Sequence, residues 1–174
     1  MKQFFAIIDG PMGGGKTTVA KLLRNKLSRT AIIGKDRIKW FVSDFDRAPK
    51  DVAMTDRVVR AMCKEYIKNG LNIILDEGFM EKRCVLPYIE LAKENEMRLF
   101  MYQIEAPRKI LLARLSRRPK AEAAKTKVSQ AKSLRNITRY FKNKNGGAII
   151  FNSTVLTPRQ IANRIAREMT SVRR

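Results

Sequence analysis

The segment Gly10-Pro11-Met12-Gly13-Gly14-Gly15-Lys16-Thr17 constrains this chain more than any other stretch. It fits the pattern G-x-x-x-x-G-K-[ST] in full, and it joins an apolar run ending at Asp9 to a helix-compatible run, Thr17 to Leu27. Glycines let successive backbone N–H groups turn inward without Cβ clashes, so the loop surrounds phosphate oxygens at the positive end of the helix that follows. In such a loop the Lys16 ammonium spans the β- and γ-phosphates and the Thr17 hydroxyl ligates Mg²⁺. Gly13, Gly14, Gly15, Lys16, Thr17 and Thr18 are the expected ATP contacts. An ordinary glycine-rich turn is the competing explanation, but a chance match in a chain of this length is on the order of one in a hundred.

Around the loop, apolar β-rich runs alternate with amphipathic stretches, which predicts an α/β domain with a mainly parallel sheet. Strands are expected at Phe4 to Asp9, Ala31 to Gly34, Asn72 to Asp76, Arg98 to Ile104 and Ala148 to Phe151. Helices are expected at Lys16 to Leu27, Asp36 to Val42, Val52 to Lys68, Val85 to Glu94, Arg108 to Arg117, Glu122 to Lys142 and Arg159 to Thr170. Gly70 reads as a helix stop, and Thr157-Pro158 as an N-cap followed by proline at the first helical position. No repeat or linker interrupts the 174 residues, so one domain is expected over 1–174.

Composition removes whole classes of chemistry. The chain has no histidine, which excludes every mechanism needing an imidazole base and leaves carboxylates or lysines for that task. The two cysteines, Cys63 and Cys84, form no C-x-x-C and are expected as free cytosolic thiols. The longest uncharged apolar runs, such as Phe4 to Ile8, are far short of a membrane span. Asp9 also cuts the run short of a signal-peptide core, so a soluble, cytoplasmic protein without a targeting segment is expected. Charge is lopsided: residues 1–105 carry a net +5 and 106–174 a net +16 of the total +21. Such a field attracts phosphate-bearing partners, nucleic acid among them, although a solvated basic surface would read the same. In the basic stretch Val128, Leu134, Ile137, Tyr140 and Phe141 fall on one helical face, which predicts docking by that stripe and exposure of Lys125, Lys127, Lys132, Arg135 and Arg139.

Two carboxylates stand out. Asp36 follows the second apolar run, at the sheet edge where ligands of open α/β sheets bind, with Arg37 beside it. It could equally N-cap the helix it begins. Asp76 ends Ile73-Ile74-Leu75 and is preferred over Glu77 as a residue that holds Mg²⁺ through water or orients the substrate. Trp40, Phe41 and Phe45 could flank an acceptor pocket, but aromatic residues at that spacing are expected in the core.

Taken with the loop, these pieces resemble the P-loop nucleoside-triphosphate hydrolase fold. Most closely they are similar to its small kinases in the group of zeta-toxin kinases, chloramphenicol phosphotransferase and polynucleotide kinase. The resemblance implies a parallel five-stranded sheet of order 2-3-1-4-5 with helices on both faces, a basic helical lid and substrate segment at about 107–145, and phosphoryl transfer from ATP to a hydroxyl. It implies that Asp36 takes the proton from the attacking hydroxyl, that Arg37 and Asp76 meet the acceptor, and that lid arginines neutralise charge on the transferring group. Arg114 and Arg118, four apart on one helical face, match that last role, with Arg117 as a substitute for Arg118. Asn152-Ser153-Thr154 falls where similar kinases place a base-binding loop.

Other nucleotide-dependent machines fit poorly. The guanine-reading N-K-x-D fails because Asn143-Lys144-Asn145 is followed by Gly146, no L-S-G-G-Q-like run occurs, and the chain is short for a hexameric motor with a separate helical subdomain. The expected activity is an ATP- and Mg²⁺-dependent kinase acting on a hydroxyl of a small-molecule or nucleotide-like acceptor. A 5′-hydroxyl polynucleotide kinase and a non-catalytic ATP-dependent nucleic-acid-binding protein are the alternatives. They are disfavoured because the basic stretch offers only Tyr140 and Phe141 for stacking on bases.

Overall fold

Phe4 to Ile8 is apolar at every position, and a strand of that kind must be covered on both faces. In the computed structural model, which describes residues 2–46, 48–117, 129–144 and 146–171, it is the central strand β1 (Phe4–Asp9), buried along its whole length. The remaining strands are β2 (Thr30–Ile33), β3 (Asn72–Asp76), β4 (Arg98–Glu105) and β5 (Ile149–Asn152). They pair in parallel throughout, in the order β2-β3-β1-β4-β5, so the expected sheet is observed.

The described helices are α1 (Lys16–Arg24), α2 (Lys35–Lys39), α3 (Pro49–Lys68), α4 (Leu86–Glu94), α5 (Arg108–Ser116), α6 (Gln130–Asn143) and α7 (Pro158–Thr170). Alternation along β1 divides them between two layers. Phe4, Ala6 and Ile8 pack with Val19, Ala20 and Leu23 of α1 and Ile161, Ala162 and Ile165 of α7. Phe5 and Ile7 pack with Val59, Cys63 and Ile67 of α3 and Leu91 and Ala92 of α4. Cutting one such isoleucine to alanine costs about 2–5 kcal/mol. A small satellite of Ala106, Leu111 and Ile137 seats α6 on α5.

Local signals set the element ends. Gly70 adopts φ 74°, and α3 closes with Gly70 N–H donating to Ile67 O and Leu71 N–H to Tyr66 O, both at 3.0 Å. Thr157 caps α7 in a reciprocal box with Gln160. Ser129 caps α6 by accepting from Lys132 N–H at 3.2 Å.

Two expectations need correction. On α6 the buried line is Ser133, Ile137 and Tyr140, whereas Leu134 is exposed, since it lies roughly 100° round the helix from Ser133. Phe141 packs at the margin of the α5–α6 satellite, Lys132, Arg135 and Arg139 are exposed as expected, and Val128, Lys125 and Lys127 lie outside the described residues. Trp40 and Phe41 are not core either: they are 53% and 84% exposed, because α2 ends at Lys39 and the chain leaves the sheet before either ring can turn inward. Phe45 is half-buried, with the Lys39 ammonium over its ring.

Candidate active site

Pairing registers bring the carboxyl ends of three strands together. Ile8 stands opposite Asp76 and Ile33 opposite Leu75, so Gly10, Gly34 and Asp76 emerge side by side. The phosphate loop leaves β1 here. Gly14 N–H donates to Pro11 O at 3.1 Å, and Gly15, at φ 102°, has nothing within 4 Å of the place a Cβ would take. A left-handed residue facing open space at a helix N-terminus is what an anion cradle requires.

Lys16 folds back over this loop, its ammonium donating to Gly10 O at 2.8 Å and to Pro11 O at 3.2 Å. Thr17 and Thr18, in the first turn of α1, are exposed beside it. Burial pushes the Asp76 carboxyl above its ordinary value, against the pull of Lys16, of the Thr17 hydroxyl hydrogen-bonded to it, and of Arg37; Asp36 adds a further upward push. Glu77 is raised in the same way, by burial first and by Asp36, with Lys35 and Lys39 opposing. Lys16, Thr17, Asp36, Arg37, Asp76 and Glu77 therefore share one locale, close enough for their charges to act on one another.

Asp36 does not cap its helix. Gly34 occupies the N-cap position without a side-chain bond, and the Asp36 side chain stands 75% exposed, paired with Lys39 at 2.7 Å. Its neighbour Lys35 turns inward instead, bonding Asp56 of α3 at 2.6 Å beneath the rings of Phe79 and Tyr88. Asp56 also accepts from the Tyr88 hydroxyl at 2.8 Å and pairs with Arg60 at 3.2 Å. The short α2 is thus pinned to α3 and α4 one residue before Asp36.

Arg114 takes up a different position from a freely swinging lid arginine. Its guanidinium donates to Gly13 O at 3.2 Å, to Ser153 Oγ at 2.8 Å and to Ser153 O at 2.8 Å, which joins α5, the phosphate loop and the turn after β5. In that turn Asn152 is occupied locally, its Oδ1 accepting from Thr154 N–H at 2.9 Å. Arg118 lies outside the described residues, and Arg117 is exposed at the end of α5.

Helix α6 closes over the loop from above: the Asn136 amide donates to Met12 Sδ at 3.8 Å, Arg139 pairs with Glu81, and the Asn143 amide donates to Met80 O at 3.3 Å. Below it, buried Asp9 accepts from Gly10 N–H at 2.7 Å and from Phe79 N–H at 3.0 Å. Burial, with Asp9 and Glu105 nearby, raises the Tyr140 phenol. Sequence reasoning overlooked Asp9, Lys35, Asp56 and also Gly78, which packs so closely under the loop that a Cβ there would lie 2.9 Å from Gly10 O. Asp9 was visible as the one charged residue directly before the glycine pattern; Lys35, Asp56 and Gly78 carried no local signal.

Residues 6–144 match the protein family described as AAA domain. No curated protein matches the sequence. Among solved structures, the chain is similar to the Deinococcus radiodurans tunicamycin resistance protein, at 16% identity over 98% of each chain with a TM-score of 0.68. It is similar to the Mycobacterium tuberculosis APS kinase CysC in complex with AMPPNP and APS, at 15% identity over 98% of this chain and 99% of that one, TM-score 0.68. A chain of the Pnkp1/Rnl/Hen1 RNA repair complex matches 82% of this chain through 45% of its own length, at 16% identity and TM-score 0.69. What these structures share with the chain is the fold.

Proposed function

The chain belongs to the AAA domain family across residues 6–144, and we propose that it is an ATP- and Mg²⁺-dependent phosphotransferase that moves the γ-phosphoryl group to a hydroxyl of a small-molecule or nucleotide-like acceptor. Within the P-loop kinases it is assigned to the group of zeta-toxin kinases, chloramphenicol phosphotransferase and polynucleotide kinase. It acts as one domain over 1–174 with a lid and substrate segment at about 107–145, and in the cytoplasm.

The observation that carries this assignment is the meeting of Asp76 with Lys16, Thr17, Arg37 and Asp36 at one sheet edge, beside an open left-handed Gly15. That donor set suits the reaction. Backbone N–H groups of Gly13 to Thr18 and the Lys16 ammonium would hold the polyphosphate, and the Thr17 hydroxyl and Asp76 offer the hard oxygens that Mg²⁺ prefers. Bound Mg²⁺–ATP supplies the transferable phosphoryl group with part of its charge neutralised. Asp36, exposed and next to Arg37, orients the acceptor hydroxyl and takes its proton, while Arg37 and Asp76 position the acceptor. Arg114 holds Gly13, and Arg118 remains the candidate that reaches the transferring group.

The experiment is label transfer from γ-labelled ATP to nucleoside and oligonucleotide hydroxyls, with Lys16→Ala as the control. Loss of both ATP binding and transfer in a folded Lys16→Ala protein supports the assignment; unchanged turnover refutes it. A 5′-hydroxyl polynucleotide acceptor is the second candidate, supported by the net +16 of residues 106–174 and by likeness to the RNA repair complex. A non-catalytic ATP-dependent nucleic-acid-binding protein would bind ATP and strand in that assay without transferring label.

A further inference from the structure

Strand β2 ends the sheet, and the helices flanking it cover opposite faces: α1 packs in one core layer and α3 in the other. Between them, along the length of β2, runs a groove of about 520 Å³. Lys21 and Arg24 of α1 and Arg37 of α2 stand over it, Met62 and Tyr66 of α3 form the opposite wall, and Ile32 and Ile33 form the floor. No acidic side chain is among its described lining residues. Lys21, Arg24 and Arg37 are exposed.

Three further observations narrow the occupant. Arg37 belongs both to the groove and to the charges gathered round Asp76, where it follows Asp36, so the two adjoin at Arg37. One of its lining side chains is an aromatic ring, Tyr66, which is 36% exposed. Cations beside an exposed ring are the composition of a surface that grips phosphates and stacks a base. An acidic peptide adding to the sheet edge would need a longer template, and β2 offers four residues.

We propose that this groove binds the phosphodiester backbone of a single-stranded nucleic acid, with a base against Tyr66, and leads the strand terminus to Asp36. The groove stands on its own geometry; delivery to Asp36 rests on the phosphotransfer proposed above.

The test is fluorescence anisotropy of a labelled single-stranded 5′-hydroxyl oligonucleotide over a salt series without ATP. Lys21→Gln with Arg24→Gln should weaken binding several-fold and reduce the slope of log K against log salt by about 1.4, roughly 0.7 for each phosphate no longer neutralised. Lys93→Gln with Arg159→Gln makes the same change in net charge on α4 and α7, which contribute no residue to the groove lining, and should leave the slope unaltered. Tyr66→Ala should weaken binding with little change in slope, as loss of stacking does. Unchanged affinity in the first pair, equal losses in both pairs, or displacement of the strand by an acidic peptide that binds more tightly would overturn the inference. A strand bound through Lys21 and Arg24, with no label transferred to the strand or to any nucleoside, would sink the proposed activity alone. Transfer to a small acceptor, with strand affinity indifferent to Lys21 and Arg24, would sink the groove alone.

Discussion

The Lys35 ammonium bonds the Asp56 carboxylate at 2.6 Å, and so ties the residue preceding Asp36 to the middle of α3. Burial alone would raise the Asp56 pKa. The bonds and charges of Lys35, Tyr88 and Arg60 outweigh it and hold the carboxyl below 3.8. A depressed folded pKa gives stability that is present above the unfolded value and is lost as pH falls through the folded one. The anchor is therefore complete at neutral pH and fails only in acid.

Asp56→Ala should cost about 1–3 kcal/mol, because it leaves the Tyr88 hydroxyl and Lys35 without their acceptor. That is a fall in Tm of roughly 2–4 °C per kcal/mol for a chain of this size. Thermal melts check the cost, and Asp56→Asn should restore part of it by still accepting from Tyr88. The destabilisation should shrink as pH falls below the ordinary carboxylate range.

Asp76 has the opposite sign. Its folded pKa is raised, chiefly by burial, so its contribution is complete below 3.8 and is lost as pH rises through the folded value. Ionising this buried carboxyl therefore costs the nucleotide-free fold stability. Asp76→Asn should raise Tm at pH 7, with the gain vanishing at low pH, while lowering Mg²⁺-dependent ATP binding. Melts with and without Mg²⁺–ATP separate the two effects. A lower Tm at pH 7 in the nucleotide-free variant would contradict this account.

The three bonds from Arg114 to Gly13 and Ser153 call for a forked donor. Arg114→Ala should weaken ATP binding by releasing the phosphate loop, and Arg114→Lys should rescue it poorly. Calorimetric titration with ATP measures both. Equal affinity in wild type and Arg114→Ala would assign the bonds to packing alone.

A Cβ at Gly78 would lie 2.9 Å from Gly10 O and 3.6 Å from Lys16 Nζ. Gly78→Ala should therefore displace the loop or Lys16, raising the KM for ATP more than it lowers Tm. Steady-state kinetics beside a melt decides whether the effect is on the loop or on the fold.

The sheet was legible because strands buried on both faces read as unbroken apolar runs: β1 and β3 begin and end where the sequence puts them. The turn after β1 was legible because its backbone takes positive φ at Gly10, Gly13 and Gly15, where glycine is needed. What escaped was set by partners distant in sequence. Asp56 meets Lys35 across 21 positions, and Arg114 meets Ser153 across 39, with nothing in either neighbourhood to announce the partner. The exposure of Trp40 and Phe41 was missed for a related reason: spacing gives a helical face, but where α2 stops decides what that face meets. On α6 a buried Ser133 displaced the more apolar Leu134, because the contact line follows the docking angle on α5 and not the hydrophobicity of single residues.

The most direct test is transfer from γ-labelled ATP to 5′-hydroxyl oligonucleotide and nucleoside acceptors by wild type and Asp36→Asn. The Asp36 side chain is largely exposed and makes no helix cap, so the amide should leave the fold intact; its pair with Lys39 is a surface ion pair of little weight. The expected result is a loss of about 10²-fold or more in acceptor phosphorylation, with ATP affinity and Tm unchanged. Wild-type transfer by a folded Asp36→Asn protein, or no transfer to any acceptor by the wild type, would contradict it.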